Sequence, residues 1–132
     1  MQYVPTLSRD ALIDLAINRY FANVDAKNMA AVLDCFNDEA LLTTQTSFTT
    51  HAGKPAIERM FADLFGAWET LVHKDFTITV DEINGRIAAS FEAVLTAADG
   101  SALSLFNTNF WRVRDGRFQE VHVYMSGANV LV

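Results

Sequence analysis

The sequence predicts an α+β domain, helices first and a long antiparallel sheet afterwards. Two features carry this prediction. The apolar period changes from that of a helix in the front half to strict alternation in the back half, and three dipeptides, Asn84-Gly85, Asp99-Gly100 and Asp115-Gly116, punctuate the second half at near-regular intervals. A parallel-sheet fold would instead alternate strand and helix throughout.

The first helix starts at Ser8, a side chain suited to capping a helix N-terminus, with Asp10 in the first turn. Ile13, Ala16, Ile17, Tyr20 and Val24 then recur on one face, while Arg9, Asp10, Asp14 and Asn18 fall on the wet side. Asp25 to Asn28 breaks the pattern. Met29, Val32, Leu33 and Phe36 restart it as a second, shorter helix. Ala40 to Thr46 is Thr-rich and reads as a strand, followed by a polar loop through Thr49, Thr50, His51 and Gly53. Pro55 stands where a first helical turn tolerates a missing N–H, and Ile57, Met60, Phe61, Leu64, Phe65 and Trp68 form the stripe of a third helix.

Four strands follow, expected over His73 to Ile83, Arg86 to Ala97, Ala102 to Val113 and Arg117 to Met125. Alternation places Leu103, Leu105, Asn107, Asn109 and Trp111 on one face of the third of these, opposite Phe106, Thr108, Phe110 and Arg112. Val121, Val123 and Met125 likewise oppose His122 and Tyr124. Apolar groups on both faces demand cover on both, and three helices cover one. The other, carrying Phe106, Phe110, His122 and Tyr124, is expected to form a homodimer or to recruit a protein.

Composition sets the outer bounds. With 132 residues, 51% hydrophobic and 20% charged, the chain is expected to be one domain over 1–132 with a single core. One cysteine, Cys35, excludes an internal disulfide framework and fits a reducing compartment. A net charge of −6 disfavours nucleic acid and anionic membrane surfaces, and the nearest basic cluster, Arg112, Arg114 and Arg117, is interrupted by Asp115. Met1 to Ser8 has no basic segment leading an apolar run, and no apolar stretch approaches the ~18 residues of a membrane span. The expectation is a soluble cytoplasmic protein.

The order of elements, the short run Phe36-Asn37-Asp38-Glu39-Ala40, Gly53-Lys54-Pro55-Ala56-Ile57 opening a helix, and Trp111-Arg112-Val113-Arg114-Asp115-Gly116-Arg117-Phe118 closing the meander resemble the nuclear transport factor two-like superfamily. The resemblance is strongest to its SnoaL-like and ketosteroid-isomerase-like branch and spans roughly Ser8 to Ser126. It implies a cystatin-like cone: a curved, mainly antiparallel sheet wrapped around three N-terminal helices, with a ligand pocket at the wide end. Such proteins include isomerases, cyclases, dehydratases, epoxide hydrolases and non-catalytic binding or assembly modules, so the fold alone does not choose a chemistry.

The same resemblance places Tyr20, in Asn18-Arg19-Tyr20-Phe21, where ketosteroid isomerases carry an oxyanion-hole tyrosine, and Asn109 where they carry a protonated aspartic acid. An asparagine amide donates the same hydrogen bond without a raised pKa. The proton-moving aspartate falls at Thr44, which cannot serve as that base. His51, in a loop near the pocket mouth, is the candidate general base, the alternatives being an unidentified group as base and a solvated, inert His51. The expected lining comprises Phe36, Thr44, Phe61, Phe65 and Phe91, then Leu105, Asn107, Val121, Val123 and Met125 beside the catalytic candidates. This set suits a small apolar or aromatic organic ligand, although ten phenylalanines can also fill a cone outright. A competing role for Tyr20 is packing, and for the two asparagines bonding to neighbouring backbone.

Other motifs carry less. His51, His73 and His122 lack the spacing that brings two ligands onto one metal, and His73, ahead of a strand, receives no role. Asp38 and Glu39 read as a solvated turn, and Cys35 as a small core residue with nothing basic nearby. No phosphate-binding glycine loop, nucleophile elbow or Cys-x-x-Cys motif is present, so no cofactor is expected. The chemistry expected is proton transfer beside a carbonyl, in an isomerase, cyclase or dehydratase. The alternatives are a non-catalytic binding or assembly module and, less fittingly for so short a chain, a subunit resembling the small subunit of ring-hydroxylating dioxygenases.

Overall fold

The computed structural model describes residues 4–132; residues 1–3, included in the domain expected for 1–132, lie outside that range. Helix α1 runs over 9–25, with Ser8 Oγ accepting from the Ala11 amide at its start. Its middle is not α-helical. Arg9–Asp14 and Ala22–Asp25 are α, but Leu15–Phe21 is wound as a π-helix. The wider, underwound π-turn shifts the buried face to Leu12, Leu15, Ala16, Tyr20, Phe21 and Val24, so Ile13 and Ile17 are only half buried. Helix α2, Met29–Asp34, is capped by Asn28 Oδ1, and helix α3, Lys54–Ala67, begins after Gly53. Lys27 Nζ donates to the carbonyls of Phe65 and Trp68, tying the end of α1 to the end of α3.

Six strands form one sheet: β1 Phe36–Thr44, β2 Thr49–Ala52, β3 Thr70–Asp81, β4 Arg86–Thr96, β5 Ala102–Arg114 and β6 Arg117–Tyr124, in the order β2-β1-β6-β5-β4-β3. All neighbours are antiparallel except β1 and β6. The α+β class and the curved sheet with its helical cover are those the sequence predicts.

Several local expectations are corrected. Phe36 belongs to β1 rather than to the preceding helix, because α2 ends at Asp34 and Phe36 pairs with Phe118. Asp38 and Glu39 are exposed, as expected, but on an irregular stretch of β1 rather than in a turn. The segment Thr49 to Ala52, read as a loop, is β2: Thr50 pairs with Thr43 and His51 with Leu42. Polar side chains hid an edge strand whose pairing is made by its backbone. Among the three glycine dipeptides only Asp115-Gly116, with φ of 55° and 77°, makes the two-residue primed turn. The chain uses four residues, 82–85, between Asp81 and Arg86, and five, 97–101, between Thr96 and Ala102.

The largest effect comes from β3. Its alternation places Phe76, Ile78 and Val80 against the core, which extrapolates backwards to an outward His73. A register shift between Lys74 and Thr77, with Asp75 in the left-handed region at φ 59°, reverses the parity. Leu71 and His73 therefore turn inward as well.

Candidate functional site

The concave face of the sheet and the helices enclose an aromatic core. Tyr20, on the π-turn, is 3% exposed, and its ring lies 4.9–6.2 Å from those of Phe21, Phe36, Phe61, Trp111 and Phe118. Burial pushes its phenol pKa well above the ordinary value, so at neutral pH the hydroxyl is a neutral donor. Beyond Tyr20, toward the end of the sheet where β6 stops, a cavity of about 40 Å³ remains. Helix α1 contributes Tyr20, Phe21 and Val24 to it, α3 Phe61 and Leu64, and β3 His73. Strands β4 to β6 add Phe91, Ala93, Leu95, Leu105, Asn107, Asn109 and Val123, and the segment after β6 adds Met125, Val130 and Leu131.

Polar groups are few and specifically placed. Asn107 and Asn109 are buried on adjacent inward positions of β5, and neither Oδ1 has a hydrogen-bond partner among the described residues. An unpartnered buried carbonyl is costly, so each Oδ1 has acceptor capacity to spare for a ligand donor. His73 faces the same space. Its Nδ1 lies 2.6 Å from Asp25 Oδ1, while its backbone amide donates to Asp25 Oδ2 at 2.9 Å. A carboxylate only accepts, so Nδ1 carries the hydrogen, and in the neutral ring Nε2 holds a free lone pair. Phe21 stacks on the imidazole at 4.4 Å, holding its plane. This is an oriented histidine–aspartate pair, the arrangement by which an imidazole accepts a proton and a carboxylate stabilises the cation that forms.

Of the three residues expected from sequence to be catalytic, the structure brings Tyr20 and Asn109 to one cavity and leaves His51 out of its lining. His51 is not in a solvated loop: it is 6% exposed on β2, and its Nε2 lies 2.9 Å from the Leu131 carbonyl. Of the expected lining, Phe61, Phe91, Leu105, Asn107, Val123 and Met125 reach the cavity. Phe36, Thr44 and Val121 are packed in the core outside it, and Phe65 packs on Phe61 at 5.7 Å. Thr44 Oγ1 is itself buried without a partner among the described residues.

Cys35 also differs from expectation, since Arg19, Arg117 and Lys54 act on it electrostatically. Burial outweighs them and pushes the thiol up to about 11, so it remains a protonated core group. His122 lies on the convex face, its Nδ1 accepting from Gln45 Nε2 at 2.6 Å. Among the described residues no group of three or more His, Cys, Asp or Glu side chains converges as a metal site requires.

A SnoaL-like domain model matches residues 17–121, from the middle of α1 into β6, and so takes in the cavity-lining residues from Tyr20 to Asn109 but not Val123, Met125, Val130 or Leu131. The chain belongs to the SnoaL-like domain family. Solved structures agree on the fold. A proposed aromatic ring hydroxylase from Novosphingobium aromaticivorans superposes with a TM-score of 0.78 at 22% identity, covering 96% of this chain and 94% of that one. A proposed SnoaL-like polyketide cyclase from Shewanella denitrificans gives 0.79 at 10% identity over 89% and 92%. An LEH-like epoxide hydrolase from M. tuberculosis gives 0.76 at 13% identity over 89% and 84%. Among curated proteins nothing matches the chain. This SnoaL-like chain thus sits on the nuclear transport factor two-like fold its sequence resembles.

Sequence reasoning missed His73, Asp25 and Phe21. Nothing in the alternation signals a bulge at Asp75, and a helical wheel of period 3.6 turns Phe21 away from Tyr20's face.

Proposed function

We propose that this SnoaL-like chain binds a small organic molecule in its cone and moves a proton next to a carbonyl, the step shared by isomerases, cyclases and dehydratases. The observation that carries this reading is the oriented Asp25–His73 pair on the same cavity as two amides with unused hydrogen-bonding capacity. His73 Nε2 takes the proton from the carbon beside the carbonyl, and Asp25 stabilises the imidazolium. The developing enolate oxygen accepts from Asn109 Nδ2, with the Tyr20 hydroxyl or Asn107 Nδ2 as second donor, while the unpartnered Oδ1 atoms accept from a hydroxyl or other donor of the ligand. His73 then returns the proton to carbon. His73 thereby fills the role that neither Thr44 nor the buried His51 is placed to fill.

The test is deuterium exchange at the carbons beside the carbonyl of cyclohexanone and 2-heptanone, followed by NMR. The wild-type protein is expected to exceed buffer, with His73→Gln reducing exchange about 100-fold and Asp25→Asn about 10-fold, in the range of general-base contributions. Exchange that is no faster than buffer, or equal in all three proteins, overturns the proposal.

One observation favours a non-catalytic module instead: at about 40 Å³ the cavity is far below the ~300–1,000 Å³ of ordinary ligand pockets. In that reading the convex face carries the function. Phe106 and Phe110 are 65% and 47% exposed there, and Phe110 packs edge-on against Tyr124 at 5.8 Å. A homodimer through this face is compatible with either reading. The chain's one cysteine, buried and free, suits the reducing conditions of a cytoplasm.

A further inference from the structure

The cavity is small because the chain itself closes it. After β6 the backbone is held at Ser126, whose Oγ accepts from the Phe106 amide at 2.9 Å. At Gly127 a Cβ would stand 2.8 Å from Leu105 Cδ2, so only glycine lets the chain pass this close to β5 without displacing Leu105. The chain then places Val130 and Leu131 against the core as part of the cavity wall. Its hold there is slight. Among the described residues no main-chain to main-chain hydrogen bond joins 127–132 to the strands or helices. The polar latch is the 2.9 Å hydrogen bond between His51 Nε2 and the Leu131 carbonyl; a carbonyl only accepts, so Nε2 donates. Asn129 Oδ1 accepts from the Leu131 amide and orders the segment internally.

Two branched apolar side chains thus line the cavity, and the carbonyl of one of them, Leu131, accepts from a buried histidine just outside that lining. We propose that residues 129–131 occupy a ligand subsite at the mouth of the cone, and that the ligand replacing them is an aliphatic ketone or acyl group. The apolar chain of that ligand takes the space of the Val130 and Leu131 side chains. His51 passes its hydrogen bond from the Leu131 carbonyl to a ligand carbonyl at the mouth, separate from the carbonyl that reacts at Asn109, and so acts as a recognition residue rather than a base. The inference rests on the reading of the cone interior as a ligand site and adds to it the part of the molecule bound at the mouth. Because the open state must be populated before the ligand enters, the bound segment lowers apparent affinity by the fraction of molecules that are open.

The experiment titrates 2-heptanone, with heptane as the match lacking the oxygen, into the full chain by NMR. Leu131→Gly, which weakens the competitor without touching the wall opposite, is expected to bind 2-heptanone at least 5-fold more tightly than the wild type. Adding His51→Phe to Leu131→Gly is expected to weaken ketone binding about 10-fold and leave heptane unchanged. Hydrogen exchange on the unmodified protein gives a readout free of folding effects: the amides of 129–132 are expected to exchange faster when 2-heptanone saturates it. Equal ketone affinity in wild type and Leu131→Gly, or exchange at 129–132 that is unchanged or slowed, overturns the subsite while leaving an interior ligand site in place. No binding by either protein, with Leu131→Gly folded by near-UV circular dichroism, overturns both.

Discussion

Tyr20 is the residue at which packing and the proposed chemistry can be separated. Five aromatic rings surround it, so Tyr20→Phe keeps the ring and its contacts. The stability change is expected to stay below about 1 kcal/mol in urea titrations, while ketone deuterium exchange falls clearly. An equal activity in both forms would assign Tyr20 to packing alone. Cys35 gives a prediction in the alkaline range. Its folded-state pKa lies near 11 against an ordinary 9.0, so between these values the native state retains a proton that the unfolded chain has lost. The contribution of Cys35 to stability is therefore full below pH 9.0 and is lost as pH rises through about 11. Wild-type stability is expected to decline over that window by an amount on the order of 2 kcal/mol more than in Cys35→Ala. Parallel declines in the two proteins would show that other groups govern alkaline unfolding.

Helices and strands here owe their site residues to local irregularities. The π-turn in α1 brings consecutive residues, Tyr20 and Phe21, to the interior, and the bulge at Asp75 brings in both His73 and Phe76. Phe21 contacts both His73 and Phe76, so the two irregularities meet at the histidine. Glycine positions separate backbone effects from packing. A Cβ at Gly116 meets nothing within 4 Å, yet its φ of 77° is unfavourable for L-residues. Gly116→Ala is expected to cost about 1 kcal/mol, all of it conformational. Gly66, in the last turn of α3 with equal room, is expected to show the opposite sign: Gly66→Ala gains about 0.5 kcal/mol by helix propensity. Urea unfolding of both variants tests the contrast, and a loss at Gly66 would reveal a packing constraint there.

For the whole molecule, one face of the sheet is covered and the other is not. The helices fill the concave side, while Phe106, Phe110 and Tyr124 remain exposed on the convex side of an acidic chain with net charge −6. Exposed aromatics in one patch are the mark of an interaction surface. Sedimentation velocity is expected to show a dimer that Phe110→Glu converts to monomer, since burying a carboxylate in the contact is unfavourable. A monomeric wild type would leave this face for a different protein partner.

The sequence by itself determined the α+β class, the order of the helices and of every strand but β2, and the inward position of Asn107 and Asn109. Each depends on periodicities that local geometry imposes on any chain, and on β5 the alternation is unbroken from Leu103 to Val113. It also made Tyr20 legible, through a resemblance rather than through any property of the residue alone. The tertiary structure decided what surrounds these groups. His73 turned inward because a single left-handed residue shifted the register of β3, an event set by pairing with β4 rather than by local pattern. His51 became a buried donor because β2 pairs with β1 through its backbone, which side-chain polarity does not report. The closing of the cone by Val130 and Leu131 was equally out of reach, since a short apolar segment has no partner until the rest of the sheet has folded beneath it.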